Sequence, residues 1–309
     1  MKIVFMGTPD FAIPSLKRLI EDGHEVLLCV TQPDKPKGRG KKIQMPVVKE
    51  FAIKNNIEVF QPKTLKTDEA YEKISSFDID VFVTAAFGQI LTKKILGIPK
   101  FGCVNVHASL LPAYRGAAPI QWAIVNGEQI TGITTMLTDV GLDTGDILLK
   151  REVEIEPDMT AGSLHDILSF VGADVLSETL KKIEDKAIER IPQDDENASY
   201  APMLKKEDGF IDWSRSSREI HDQIRGLNPF PGAYTYYEEC KMRIWKSSII
   251  HNVCVVDSPG KVLDVSKDGL IVATGDCAIK IEEVQFDSCR RMCVCEYLCG
   301  HEIKEGACF

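Results

Sequence analysis

Long apolar runs are missing from this 309-residue chain. One of the longest, Val81–Ala86, covers six residues, far short of the roughly 18 that a membrane-crossing helix needs. The first ten residues, MKIVFMGTPD, hold four consecutive apolar side chains and no small-residue cleavage site, so no signal peptide is expected. A basic excess is also missing. Lys and Arg number 37 against 46 Asp and Glu, a net charge of −9, so a polyanion partner must be held by a local patch rather than by the overall field. The first strand–turn–helix, Met6-Gly7-Thr8-Pro9-Asp10-Phe11, has one glycine where a dinucleotide fold shows G-x-G-x-x-G, and Pro9 removes a backbone donor from the turn. A nicotinamide enzyme thereby loses its main signal. The ten cysteines form no secreted framework, and the expected compartment is the reducing cytoplasm.

What the chain does have is alternation. Lys2–Met6 reads as a strand and Phe11–Glu21 as an amphipathic helix, with Ile13, Leu16, Leu19 and Ile20 on one face. Strands are expected at Glu25–Thr31, Ile57–Phe60, Ile79–Ala85, Gly102–His107, Gly132–Thr138 and Ile147–Ile155. Helices are expected at Pro46–Lys54, Asp68–Ser76, around Trp122, and over Thr160–Lys186. This order implies an α/β fold with a doubly wound, mainly parallel sheet over residues 1–190. Residues 191–208 carry Pro192, Asp194, Asp195, Glu196, Asn197, Ser199 and Pro202, the composition of a linker. Over 209–309 one helix, Arg218–Arg225, precedes short strands with turn signals about ten residues apart, which predicts a small β-barrel or sandwich.

Two local features stand out from this background. Lys35, Lys37, Arg39, Lys41 and Lys42 fall within eight residues, interleaved with Gly38 and Gly40; on their own they read as a solvated charge run. Eight of the ten cysteines lie after residue 239. Cys289, Cys293, Cys295, Cys299 and His301 lack the C-x2-C spacing of zinc modules, so reduced thiols and no metal are expected there.

The stretch Asn105–Gly116, NVHASLLPAYRG, is the most informative. Asn105 and His107 are two residues apart at a strand end, so both point to one side of the sheet, and carboxyl ends of strands are where open α/β sheets bind ligands. Asp143, in Leu142-Asp143-Thr144-Gly145-Asp146, lies just before another strand. An amide that donates to a developing oxyanion, with an imidazole and a carboxylate that handle a proton, suits acyl transfer. Each residue also has an ordinary structural reading: a turn cap, a satisfied core histidine, a loop residue. Tyr114 and Arg115 read as structural, Arg115 as a salt-bridge partner.

Together, Asn105–Gly116 and the Asp143-Thr144-Gly145-Asp146 loop resemble the signature of the 10-formyltetrahydrofolate-dependent formyltransferases. The resemblance runs from Met1 almost to Phe309 and includes Gly7–Phe11, Thr31-Gln32-Pro33-Asp34, Gly116–Gln121, Ile211-Asp212-Trp213 and Arg225–Ala233. It implies a Rossmann-like catalytic domain followed by an OB-like β-barrel domain. It further implies that Asn105, His107 and Asp143 are catalytic and that Ser109, Leu110, Leu111 and Pro112 contact folate. The basic loop Lys35, Lys37, Arg39, Lys41 and Lys42 resembles that of members acting on tRNA. In such members the formyl group of 10-formyltetrahydrofolate passes to the α-amine of methionyl initiator tRNA, leaving tetrahydrofolate and N-formylmethionyl-tRNA for translation initiation. His107 or Asp143 takes the amine proton. No metal, no membrane and no obligate protein partner are implied. Lys205, Lys206, Arg215, Arg218, Arg225, Lys241, Arg243 and Lys246 are candidates for a second basic face. The cysteines depart from the family pattern, for example Cys277 after Gly275-Asp276.

Overall fold

The computed structural model describes residues 1–37, 42–250 and 258–309. These form two compact units that do not follow the chain linearly. The first takes residues 1–116, 131–153 and 165–200; the second takes 117–130, 154–164 and 201–309.

The first unit is built on a seven-stranded sheet. Its strands are β1 (Lys2–Gly7), β2 (Glu25–Val30), β3 (Val59–Phe60), β4 (Val81–Ala85), β5 (Cys103–His107), β6 (Ile130–Leu137) and β7 (Ile147–Glu154), in the order β7-β6-β5-β4-β1-β2-β3. β1 pairs in parallel with β2 and β4, β2 with β3, and β4 with β5. β6 runs antiparallel to β5. The mainly parallel sheet is thus observed. Every residue of β4 is buried, as expected for a strand covered on both faces.

Strand order reverses between β1 and β4, the switch point at which such sheets open a crevice. The single glycine of the first turn has a packing reason: a Cβ on Gly7 would lie 2.7 Å from the Ala12 Cβ and 3.0 Å from the Ala85 carbonyl. Across the crevice the Thr8 hydroxyl and the Gln32 amide both donate to the Phe87 carbonyl, at 3.2 and 3.3 Å. The helix at Ile13–Glu21 is preceded by a 3-10 turn at Asp10–Ala12, and those at Val47–Lys54 and Asp68–Ser75 lie where the periodicity places them. Thr160 caps the helix Ala161–Glu184 by accepting from the Ser163 N–H at 3.2 Å.

Sequence reading did not find a hairpin after β2. Lys35–Lys37 pairs antiparallel with Lys42–Gln44, so the basic run forms its two arms. Arg39 and Lys41 lie outside the described residues. At its base Lys49 and Gln61 donate to the Asp34 carboxylate, at 2.8 and 2.7 Å. Those hydrogen bonds, Lys49 first, hold the Asp34 carboxyl below its ordinary range.

The second unit carries an antiparallel sheet of β8 (Ala233–Tyr237), β9 (Cys240–Ile250), β10 (Val262–Ser266), β11 (Gly269–Ala273) and β12 (Ala278–Phe286), in the order β8-β9-β12-β11-β10, with β13 (Met292–Cys293) beside β12. The helix Ser217–Gly226 starts with a reciprocal cap between Ser216 and Glu219. Its Ile220 and Ile224 join a core with Trp213, Ile244, Val272 and Ile281.

Not all thiols are free, contrary to expectation. Cys293 and Cys295 form a disulfide. The reason is local: Cys293 both ends β13 and caps the helix Val294–Leu298, and that turn leaves the two Cα atoms 5.3 Å apart, within bridging range. Among the described residues no three His, Cys, Asp or Glu side chains gather as a metal site, and no helix is long and apolar enough to cross a membrane.

Candidate active site

β4 and β5 lie side by side in register, Thr84 opposite Asn105. The Thr84 hydroxyl donates to the Asn105 Oδ1 at 2.8 Å. The amide nitrogen of Asn105 makes no hydrogen bond among the described residues, and the residue is only half-buried. A donor is therefore held at the strand end and left open.

His107, two residues on, is buried to 6% exposure. Its Nε2 lies 3.0 Å from the Tyr114 carbonyl. A carbonyl only accepts, so Nε2 carries a hydrogen and Nδ1 of the neutral ring is left with its lone pair. Nδ1 faces the Asp143 Oδ2 at 3.7 Å, too far for a hydrogen bond. The same Oδ2 accepts from the Gly116 N–H at 2.9 Å. One turn thus anchors both partners: the Tyr114 carbonyl fixes the imidazole, and the Gly116 amide fixes the carboxylate.

Both anchoring segments adopt left-handed backbone, Tyr114 at φ 60° and Asp143 at φ 53°. Such conformations are uncommon outside glycine and persist where surrounding contacts over-determine them. The glycine of the Asp143 loop is required by space. A Cβ on Gly145 would sit 1.7 Å from the Leu137 carbonyl, so no side chain fits between the loop and β6.

The stretch 109–112 divides into two pairs. Ser109 and Leu111 are fully buried; the Ser109 hydroxyl donates to the Ala113 carbonyl at 2.6 Å, and Leu111 packs with Met136 and Ile147. Leu110 and Pro112 are half-buried, and only these two have side-chain surface to offer a ligand. Arg115, read as structural, is 2% exposed and pairs with Asp195 at 2.8 Å.

Half of the candidates for a second basic face are ion-paired. Arg225 is buried against Asp222, and Arg215, Arg243 and Lys246 pair with Glu219, Asp287 and Glu282. Lys241 lies over the Tyr234 ring at 3.3 Å from its centroid.

Three comparisons set this geometry among known proteins. Residues 1–180 match the formyl transferase family and residues 203–302 the formyl transferase C-terminal domain. A methionyl-tRNA formyltransferase of Acetivibrio thermocellus is 60% identical, over 99% of this chain and 98% of its own. The chain belongs to the methionyl-tRNA formyltransferase family. Another member, from Clostridioides difficile, is 53% identical over 99% of both chains. Among solved structures, an N-formyltransferase from Helicobacter canadensis, in complex with folinic acid and dTDP-3-aminofucose, has the same fold. It superposes with a TM-score of 0.69 at 20% identity, over 91% of this chain and 98% of its own. HypX from Aquifex aeolicus, in complex with tetrahydrofolic acid, matches 96% of this chain and 47% of its own, with a TM-score of 0.66 at 16% identity.

Sequence reasoning missed Thr84, and it missed the backbone groups of Tyr114 and Gly116. Thr84 becomes visible only once β4 and β5 are known to pair. No residue-type signal marks a carbonyl or an amide hydrogen.

Proposed function

We infer that this chain transfers the formyl group of 10-formyltetrahydrofolate to the α-amino group of methionyl initiator tRNA, giving N-formylmethionyl-tRNA and tetrahydrofolate. The observation that carries the chemistry is the Nδ1 of His107, which faces the Asp143 carboxylate at 3.7 Å two residues along the strand from the open Asn105 amide.

The folate donor supplies an electrophilic formyl carbon, and the chain's residues supply placement and charge. Asn105 donates to the formyl oxygen as negative charge develops there. As the amine nitrogen bonds to the formyl carbon, His107 takes its proton on Nδ1, the imidazolium being held between the Tyr114 carbonyl and the Asp143 carboxylate. When the tetrahedral intermediate collapses, the bond from the formyl carbon to N10 of the folate breaks and that proton passes to N10, releasing tetrahydrofolate. Of the two routes the sequence leaves open, this geometry favours His107 as base and Asp143 as its counter-ion. Leu110 and Pro112 offer apolar surface to the folate, with Ser109 and Leu111 holding the turn behind them. Chemistry of this kind calls for no metal.

The acceptor end of the tRNA is assigned to the basic run Lys35, Lys37, Arg39, Lys41 and Lys42, where arginine suits bidentate contact with phosphate or base edges. Residues 1–190 serve as the catalytic part, 191–208 as the connection and 209–309 as the C-terminal β domain, a reading supported by family matches at 1–180 and 203–302. The test is direct: the protein is incubated with 10-formyltetrahydrofolate and methionyl-tRNA, and formylmethionine is measured against buffer and uncharged tRNA. Formyl release at the same rate in all three would overturn the reading.

A further inference from the structure

We propose that Gln193 is a positioning residue for the transfer, holding the Asp143 loop against His107. It lies in the segment that reads by composition as a linker, yet it folds with the first unit. Its side-chain amide is saturated. Oε1 accepts from the Nε and Nη2 of Arg115 at 3.0 and 2.8 Å. Nε2 donates to the Asp143 carbonyl at 2.8 Å and to the Gly145 carbonyl at 2.7 Å. Two acceptor sites and two hydrogens are all that a primary amide has. The orientation is also forced: a flipped amide would set its oxygen against two carbonyls and its NH2 against a guanidinium.

The clamp closes a circuit through consecutive residues. The Arg115 side chain grips Gln193, Gln193 grips the backbone on both sides of Thr144, and the Gly116 N–H next to Arg115 grips the Asp143 carboxylate. A left-handed Asp143 is costly to maintain without such ties. Without the two carbonyl bonds the loop relaxes, and the carboxylate drifts from the Nδ1 of His107. Misplacement of about 1 Å in a catalytic arrangement costs on the order of 10²-fold in rate. The same Nη2 of Arg115 also donates at 2.8 Å to Asp195, whose side chain is 81% exposed, so that ion pair adds little.

This inference rests on the proposed formyl transfer, so the experiment has one readout that depends on activity and one that does not. Gln193→Glu keeps the size and the Arg115 bonds but turns an oxygen toward the two carbonyls; Gln193→Met keeps the length without donors. Both should lower kcat by about 10- to 100-fold, with KM for 10-formyltetrahydrofolate and for methionyl-tRNA changed less than about threefold. Amide exchange at Gly116 should quicken by about tenfold, while Val83 and Val104 in the sheet stay protected. Asp195→Ala should match wild type in both readouts. Folded variants with unchanged Gly116 exchange would overturn the proposal, whatever their rates. So would a wild-type kcat, or loss of fold in both variants, which would make Gln193 merely structural. A wild-type protein that formylates nothing refutes the functional reading alone, and the exchange data still decide the clamp.

Discussion

The Thr84 hydroxyl donates to the Asn105 side-chain oxygen at 2.8 Å from the neighbouring strand. This bond decides which end of the amide is free. With Oδ1 occupied, Nδ2 is the group presented to a ligand, and the role of an oxyanion donor falls to it. Thr84→Val keeps shape and burial but releases the amide. We expect kcat to fall by about tenfold in Thr84→Val and by about 10²–10³ in Asn105→Ala, with both proteins folded. Steady-state formylation of methionyl-tRNA reads the difference, and an unimpaired Asn105→Ala would remove the amide from the chemistry.

His107 and Asp143 should behave unequally. If Nδ1 of His107 takes the amine proton and Asp143 only stabilises the imidazolium, His107→Ala should lose more rate than Asp143→Asn, which keeps an oxygen to accept from Gly116. Non-additive loss is expected in the double variant, because the two act as a unit. Additive losses in a double-mutant cycle would mean that the two side chains work separately.

Much of the first unit was legible in the sequence because buried parallel strands leave a strong residue-type signal. Val81–Ala85 and Cys103–His107 are both such runs, and the Asn-x-His pair is readable as soon as the strand end is placed. What escaped was pairwise. Thr84 matters only through its partner on β5, Gln193 only through a loop fifty residues earlier, and the hairpin arms only through each other. The acidic run Asp194–Glu196 pointed to a solvated linker, and all three residues are exposed. The same composition conceals Gln193, whose contacts are all with distant residues.

His221 predicts a pH dependence of stability. Burial, above all, pushes its pKa below 6.5, with the Pro157 carbonyl and Asp222 acting upward, Arg225 downward and Asp158 upward. The ring sits between the Ser247 hydroxyl at 3.1 Å and the Pro157 carbonyl at 3.3 Å. A depressed histidine is neutral in the fold while the unfolded chain still takes a proton near its ordinary pKa. Stability is therefore complete above about pH 6.5 and falls as the pH drops toward the folded-state pKa. Urea unfolding should give a lower midpoint at pH 5.5 than at pH 8, and His221→Gln should narrow that difference. An identical pH slope in the variant would assign the effect to other groups.

The cysteines should sort by burial. Desolvation pushes the Cys29 thiol up to about 12 and the Cys103 thiol up to about 11, so neither forms a reactive thiolate at neutral pH. Cys240, Cys299 and Cys308 are free and exposed. Iodoacetamide at pH 8 should label these three first, with Cys29 and Cys103 reacting only on unfolding, as mass spectrometry would show. Replacing Cys293 and Cys295 with serine should leave the fold intact, since a serine hydroxyl can cap the helix as the Cys293 sulfur does for the Glu296 N–H. A midpoint lowered by more than about 5 °C would show that the disulfide matters more than the cap.

The proposed role of the basic run in holding tRNA can be tested apart from folate binding. Asp34 sits at the base of the hairpin, tied to Lys49 and Gln61, and its Lys35–Lys37 and Lys42–Gln44 arms lead into residues 38–41. Arg39→Ala should weaken formylation of methionyl-tRNA strongly while tetrahydrofolate binding hardly changes, because a guanidinium fork on a phosphate or base edge has no lysine equivalent. Lys41→Ala and Lys42→Ala should cost less and should each lower the slope of log K against log salt by about 0.7–0.9, the signature of one lost phosphate contact. Asp34→Asn removes the charged anchor without touching the basic side chains. It should raise KM for methionyl-tRNA with kcat at saturation nearly unchanged, whereas Arg39→Ala lowers kcat/KM with a smaller change in salt slope than the lysine variants if it contacts a base. Normal formylation by Arg39→Ala, together with an unchanged salt slope in both lysine variants, would reduce the run to a solvated charge cluster.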